Sequence, residues 1–117
     1  MEQSVSASLK KAGLNVQDAL SRVNGSEALY FKLLGKFLDD KNYSSAMEYI
    51  KGGNYDAAKI YVHALKGLSA NLSMTNLYEE CLVCESRLKE GKEPQNLDKF
   101  SQAYEKVVES IRILDKK

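Results

Sequence analysis

Proline is nearly missing from this chain of 117 residues, occurring once at Pro94, and the seven glycines are scattered rather than clustered. So few breakers leave room for long helices, and the β-branched residues never gather into the alternating runs that mark strands. Apolar runs are short, and none approaches the roughly 20 residues needed to cross a bilayer. The segment from Met1 to Lys11 is polar and lacks the apolar stretch of a secretory signal. Two cysteines are too few for a disulfide framework. Net charge is missing too: 17 basic residues against 16 acidic leave +1, far from the basic field of a nucleic-acid binder. No kinase nucleotide loop occurs, and Lys66-Gly67 has no glycine-rich approach that would make it a phosphate loop. These absences lead us to expect a cytoplasmic helical protein with no membrane or nucleic-acid contact.

Hydrophobic residues make up 44% and charged residues 28%, an ordinary globular composition, and the length suits one domain over residues 1–117 with one core. Val5 and Leu9 suggest a short turn of helix with frayed first residues. Asn15 can cap a short helix through Val16, Ala19, Leu20 and Val23, closed by Asn24-Gly25. Ser26 caps the next, with Leu29, Tyr30, Leu33, Leu34, Phe37 and Leu38 inward. The pattern weakens over Asn42 to Ser44 and resumes at Ala46, Met47 and Ile50 before Gly52-Gly53, so residues 26–51 read as one bent helix or two. Another helix runs from near Asn54-Tyr55-Asp56 to about Leu72, and Ser73 or Thr75 can cap its successor. There Met74, Leu77, Cys81, Cys84 and Leu88 form a bundle-packing seam. Gly91 ends it. The last helix spans about 95–115, with Leu97, Phe100, Tyr104, Val107, Val108, Ile111 and Leu114 inward. The expected fold is all-α, an antiparallel four-helix bundle with short additional N-terminal helices packed at one end.

His63 is the only histidine. In its helix Ala57, Ile60, Tyr61, Ala64, Leu65, Leu68 and Leu72 recur at three- and four-residue spacing and are assigned to the core face. At about 100° per residue His63 falls roughly 140° or more from the middle of that face, so it points to solvent. Lys59, Lys66, Gly67 and Ala70 share its side of the helix. An imidazole with two nearby ammonium groups and small neighbours suits a phosphoryl group and the close approach of a partner.

The run His63-Ala64-Leu65-Lys66-Gly67-Leu68-Ser69-Ala70-Asn71-Leu72 resembles the signature of the histidine-containing phosphotransfer (HPt) domains, His-x-Leu-Lys-Gly followed by small residues and a Leu/Ile-Gly end. The segment from Glu27 through Leu34 and Phe37 resembles the preceding helix of that family, Asn54-Tyr55 stands where Asp-Trp is common, and Leu77 and Glu85 match downstream positions. The likeness covers roughly residues 14–90, and the last helix fits by pattern only. Leu68 departs from the usual small residue, and Ser73 replaces the usual glycine. The resemblance implies a four-helix bundle whose exposed His63 takes a phosphoryl group from an aspartyl phosphate on a response-regulator receiver domain and passes it to another receiver, in a relay fed by a hybrid sensor kinase. Lys66, and Lys59 beside it, would stabilise the added charge. Gly67 and Ala70 would leave room for the receiver, and Glu85 would lie near the ring. It further implies a monomeric carrier rather than an enzyme, with no cofactor of its own and the divalent metal ion on the receiver.

Other readings exist. An exposed histidine on a helix is ordinarily just a surface residue; its setting in His-x-Leu-Lys-Gly argues otherwise. Cys81-x-x-Cys84 could serve redox or zinc chemistry, but both cysteines lie on the apolar seam and a structural zinc site takes four ligands. The rival from another class is a non-catalytic helical adaptor that binds receivers or other helical partners. Loss of the histidine or lysine would favour it, and both are present.

Overall fold

The computed structural model describes residues 1–115, and all regular structure among them is helical. The elements are α1 (Gln3–Lys11), α2 (Val16–Arg22), α3 (Glu27–Phe37), α4 (Asn42–Lys51), α5 (Tyr55–Asn71), α6 (Thr75–Lys89) and α7 (Leu97–Asp115). Three of them begin where the polar caps put them. The Asn15, Ser26 and Asn54 side chains accept from the backbone N–H groups of Asp18, Leu29 and Ala57, three residues on in each case. Each bond satisfies a donor that the first turn of a helix leaves open.

The ambiguous stretch 26–51 is two helices. Asp40 divides them: its carboxylate accepts from the backbone N–H of Asn42 at 3.0 Å and from the Asn42 side-chain amide at 2.9 Å, which nucleates α4 afresh. The N-terminal segment is more ordered than a frayed turn, since α1 spans nine residues with Leu9 fully buried. Leu29, expected inside, is 43% exposed; Tyr30, Leu34 and Phe37 carry the core face of α3.

Helix α5 packs against both α4 and α6, and α7 packs on α6 and α1. Aromatic side chains join α7 to α3 and α4: Tyr104 stacks on Tyr43 with ring centroids 3.9 Å apart, Phe100 meets the Tyr43 edge, and Phe37 leans on Tyr104. On α6 all five seam residues, Met74, Leu77, Cys81, Cys84 and Leu88, are buried as expected.

The buried face of α5 differs from the expected one. Ala58, Val62, Leu65, Ser69 and Leu72 are buried, whereas Ile60 is 65% exposed and Ala64 faces solvent. Leu65 and Leu72 of the expected face are buried and Tyr61 and Leu68 pack against the core, so the face is shifted rather than replaced, the centre of its fully buried residues lying about 80° from the one expected. Two features permit it: Ala58 is small and fully buried, and the Ser69 hydroxyl satisfies itself by donating to the Lys66 carbonyl at 2.9 Å. His63 stays outside because it lies about 140° from the centre of either face.

Ser73 does not cap α6. Met74 is the N-cap, with no side-chain bond, and Ser73 takes a left-handed conformation, φ 55°, just past the end of α5. Glycine normally fills that position. Here the Ser73 hydroxyl donates to Asp18 Oδ2 at 2.6 Å, the Asn15 N–H donates to the Ser73 carbonyl at 2.8 Å, and the Asn76 N–H donates to the Gly13 carbonyl at 3.2 Å. The N-terminal segment is thereby fastened to the α5–α6 turn.

Candidate functional site

Between α5 and α6, ordered pairs run in opposite directions: His63 and Lys66 meet Glu85, and Ser69 meets Cys81. The helices are thus antiparallel, and a shoulder of α5 is laid against a shoulder of α6. Lys66 stands at the edge of the revised core face and His63 one step further out. The same rotation that buries Ser69 turns both toward α6.

Glu85 is the centre of the resulting cluster. It is only 3% exposed, one position beside the seam cysteine Cys84. Its Oε2 lies 2.6 Å from His63 Nδ1 and its Oε1 lies 2.7 Å from Lys66 Nζ. Lys89 Nζ is 3.7 Å from the same Oε1, four residues on along α6. Burial by itself would raise the Glu85 carboxyl. The hydrogen bonds from Lys66 and His63, with the charges of Lys66 and Lys89, outweigh it and hold the group below the usual carboxylate range.

An ionised carboxylate can only accept, so the proton between Glu85 and His63 belongs to Nδ1. In the neutral ring Nε2 then carries the lone pair. The His63 side chain is 67% exposed, and no partner for Nε2 is found among the described residues. The arrangement offers a nucleophilic nitrogen to solvent while a buried anion fixes the ring's tautomer and orientation from behind.

The other expected residues are distributed around this cluster. Gly67 is exposed, and a Cβ built on it would meet nothing within 4 Å, so no packing demand accounts for the glycine. Ala70 and Lys59 are half-buried on the same side of α5. Lys59 is not among the groups that meet Glu85, which are Lys66, Lys89 and the His63 ring. Lys89 was not singled out from the sequence, although Glu85 and Lys89 form a four-residue acid–base pair of the sort that stabilises helices. Ile60, misassigned to the core, presents an exposed apolar side chain one turn before His63.

Both thiols are fully buried and pushed up to about 12, chiefly by burial. No cluster of metal-ligating side chains occurs among the described residues. A groove of about 960 Å³ runs between α1 and α7 past Ala12, Tyr104, Val108 and Ile113, and none of the His63 cluster lines it. No helix among the described residues is long and apolar enough to cross a membrane. No protein-family model, curated protein or solved structure matches this chain. The functional argument therefore stands on the site's own chemistry.

Proposed function

We propose that this protein is a phosphoryl carrier of the histidine phosphotransfer type, taking the group from an aspartyl phosphate on a receiver domain and handing it to another receiver. The observation that carries the reading is the exposed His63 ring with Nδ1–H held by a buried, ionised Glu85. In this reading α4 to α7 are the antiparallel four-helix bundle. Consecutive helices pack on one another, the Tyr43 and Tyr104 stack closes α7 onto α4, and α1 and the Phe37 ring of α3 pack against α7.

The transfer step follows from the protonation state. The Nε2 lone pair attacks phosphorus, the bond from phosphorus to the aspartyl oxygen breaks, and the aspartate leaves as its carboxylate. The ring keeps its Nδ1 proton and becomes cationic. Glu85, 2.6 Å away, stabilises that positive charge as a buried carboxylate stabilises an imidazolium elsewhere. Lys66 stabilises the phosphoryl oxygens, and Gly67 gives the receiver clearance. The metal ion belongs to the receiver, and the carrier needs no cofactor. The receivers, and a hybrid kinase upstream, are the partners this reading requires.

Phosphorylated receiver domains incubated with the protein test it. Phosphate should appear in an acid-labile form on His63 and be lost in His63→Ala, with circular dichroism checking that the variant keeps its helical fold. Undiminished labelling of that variant would refute the proposal.

A further inference from the structure

Two ammonium groups converge on one oxygen. Lys66 Nζ is 2.7 Å and Lys89 Nζ 3.7 Å from Glu85 Oε1, while Oε2 is taken by His63 Nδ1 at 2.6 Å. The lysines differ in freedom: the Lys66 side chain is 20% exposed and that of Lys89 61%. The geometry contains a conflict. Lys66, three residues after His63, is the bonded cation on the ring's own helix, yet it is tied to a buried carboxylate. Drawing it away would strip a buried anion of its main partner, which is strongly unfavourable.

Lys89 resolves the conflict. It needs to come only about 1 Å closer to reach the distance that Lys66 now has. We infer that Lys89 is a positioning residue: when His63 is phosphorylated, Lys89 closes on Glu85 Oε1 and releases Lys66 to the phosphoryl oxygens. Charge counting agrees. Two ammonium groups against one carboxylate leave one positive charge in excess at rest, and a phosphoryl group adds up to about two negative charges. The phosphorylated ring is itself cationic and stays on Oε2, so the charge added outside it is the one left for Lys66, while Lys89 keeps Oε1 paired. The inference rests on the phosphoryl-carrier reading above, which assigns the modification to His63 and does not involve Lys89.

Phosphoramidate supplies the phosphoryl group without a partner: Nε2 displaces ammonia, the donor's phosphorus–nitrogen bond breaking as the new one forms. The phosphorylated intact protein is then titrated by ³¹P NMR, because an ammonium in contact with phosphate lowers the midpoint of its last ionisation. Lys66→Ala should raise that midpoint by about half a unit or more. Lys89→Ala should raise it nearly as far, Lys89→Arg should match wild type, and Lys66→Ala/Lys89→Ala should go no further than Lys66→Ala alone. Lys59 is present in every variant and cancels. A wild-type midpoint in Lys89→Ala overturns the inference, and so does a further rise in the double variant, since Lys89 would then touch the phosphate itself. If wild type takes no label on His63, the carrier reading falls and this inference with it. Labelling with a midpoint indifferent to Lys89 removes the inference alone.

Discussion

Replacing Gly67 separates helix energetics from docking. The residue lies in the interior of α5, where glycine costs about 1 kcal/mol relative to alanine. An added Cβ would meet no atom within 4 Å, so Gly67→Ala should recover most of that propensity with no steric offset. For a chain of this size the gain corresponds to about 3–6 °C in Tm. Gly35 in α3 is the internal control, because a Cβ there also meets nothing within 4 Å. Gly35→Ala should raise Tm similarly and leave receiver-dependent transfer untouched. Gly67→Gln should melt close to wild type, since glutamine is a good helix former, yet impair transfer from a receiver by filling the space in front of the ring. Phosphoramidate needs far less clearance and should still label His63 in that variant. Circular-dichroism melts and labelling of the same samples decide the matter. A fall in Tm for Gly67→Ala would mean that the open space is not open, and wild-type transfer by Gly67→Gln would end the clearance account.

Ser73 stands in a left-handed conformation that costs a non-glycine residue about 1 kcal/mol, so Ser73→Gly should be close to neutral, trading backbone relief for the lost bond to Asp18, whereas Ser73→Ala keeps the strain, loses the bond and should be the less stable in urea melts. Cys81 and Cys84 should resist alkylation in the native protein and react on unfolding, and each Cys→Ala change should cost about 1–3 kcal/mol without abolishing transfer; stoichiometric zinc in protein purified without chelators would contradict this. Because the folded Glu85 carboxyl lies below its unfolded value, the stability it contributes is present above that unfolded value and is lost as pH falls through the folded one. The stability gap between wild type and Glu85→Gln should accordingly hold steady near neutral pH and narrow as pH falls below the ordinary glutamate range in denaturant titrations, and a gap that stays constant into acid would show that the carboxylate is not held by its cations.

The helices were legible because their boundaries are written in local chemistry: Asn15, Ser26 and Asn54 each cap where a capping residue precedes an apolar run. The α6 seam was legible because its large apolar residues keep strict spacing. The face of α5 was misread because its buried positions are occupied by Ala58 and Ser69, while Ile60 and Ala64 compete for attention on the outside. Spacing alone could not decide, since Ala58, Val62, Leu65, Ser69 and Leu72 alternate steps of four and three just as the expected set keeps steps of three and four. His63 survived the error only through its equal angular distance from both faces. Glu85 was placed near the ring by resemblance, but its burial had no sequence signal: a glutamate beside a seam is usually solvated, and its two hydrogen-bond donors, Lys66 and His63, come from another helix. The role of Ser73 was hidden because its partner, Asp18, is 55 residues away in sequence.

The clasp between residues 13–15 and 73–76 bears on where this molecule can be cut. Removing α1 while leaving Gly13 in place would preserve every polar bond across that crossing, and the loss would include the apolar surface under Val5 and Leu9 and the ion pair of the Met1 ammonium with Glu27. Removing a few residues more, through Asp18, would leave the Ser73 carbonyl and hydroxyl and the Asn76 N–H without their partners, at the turn from which α6 sets off toward Glu85. The smallest piece able to hold the ring and its carboxylate in register thus begins not with a helix but with the glycine of a loop.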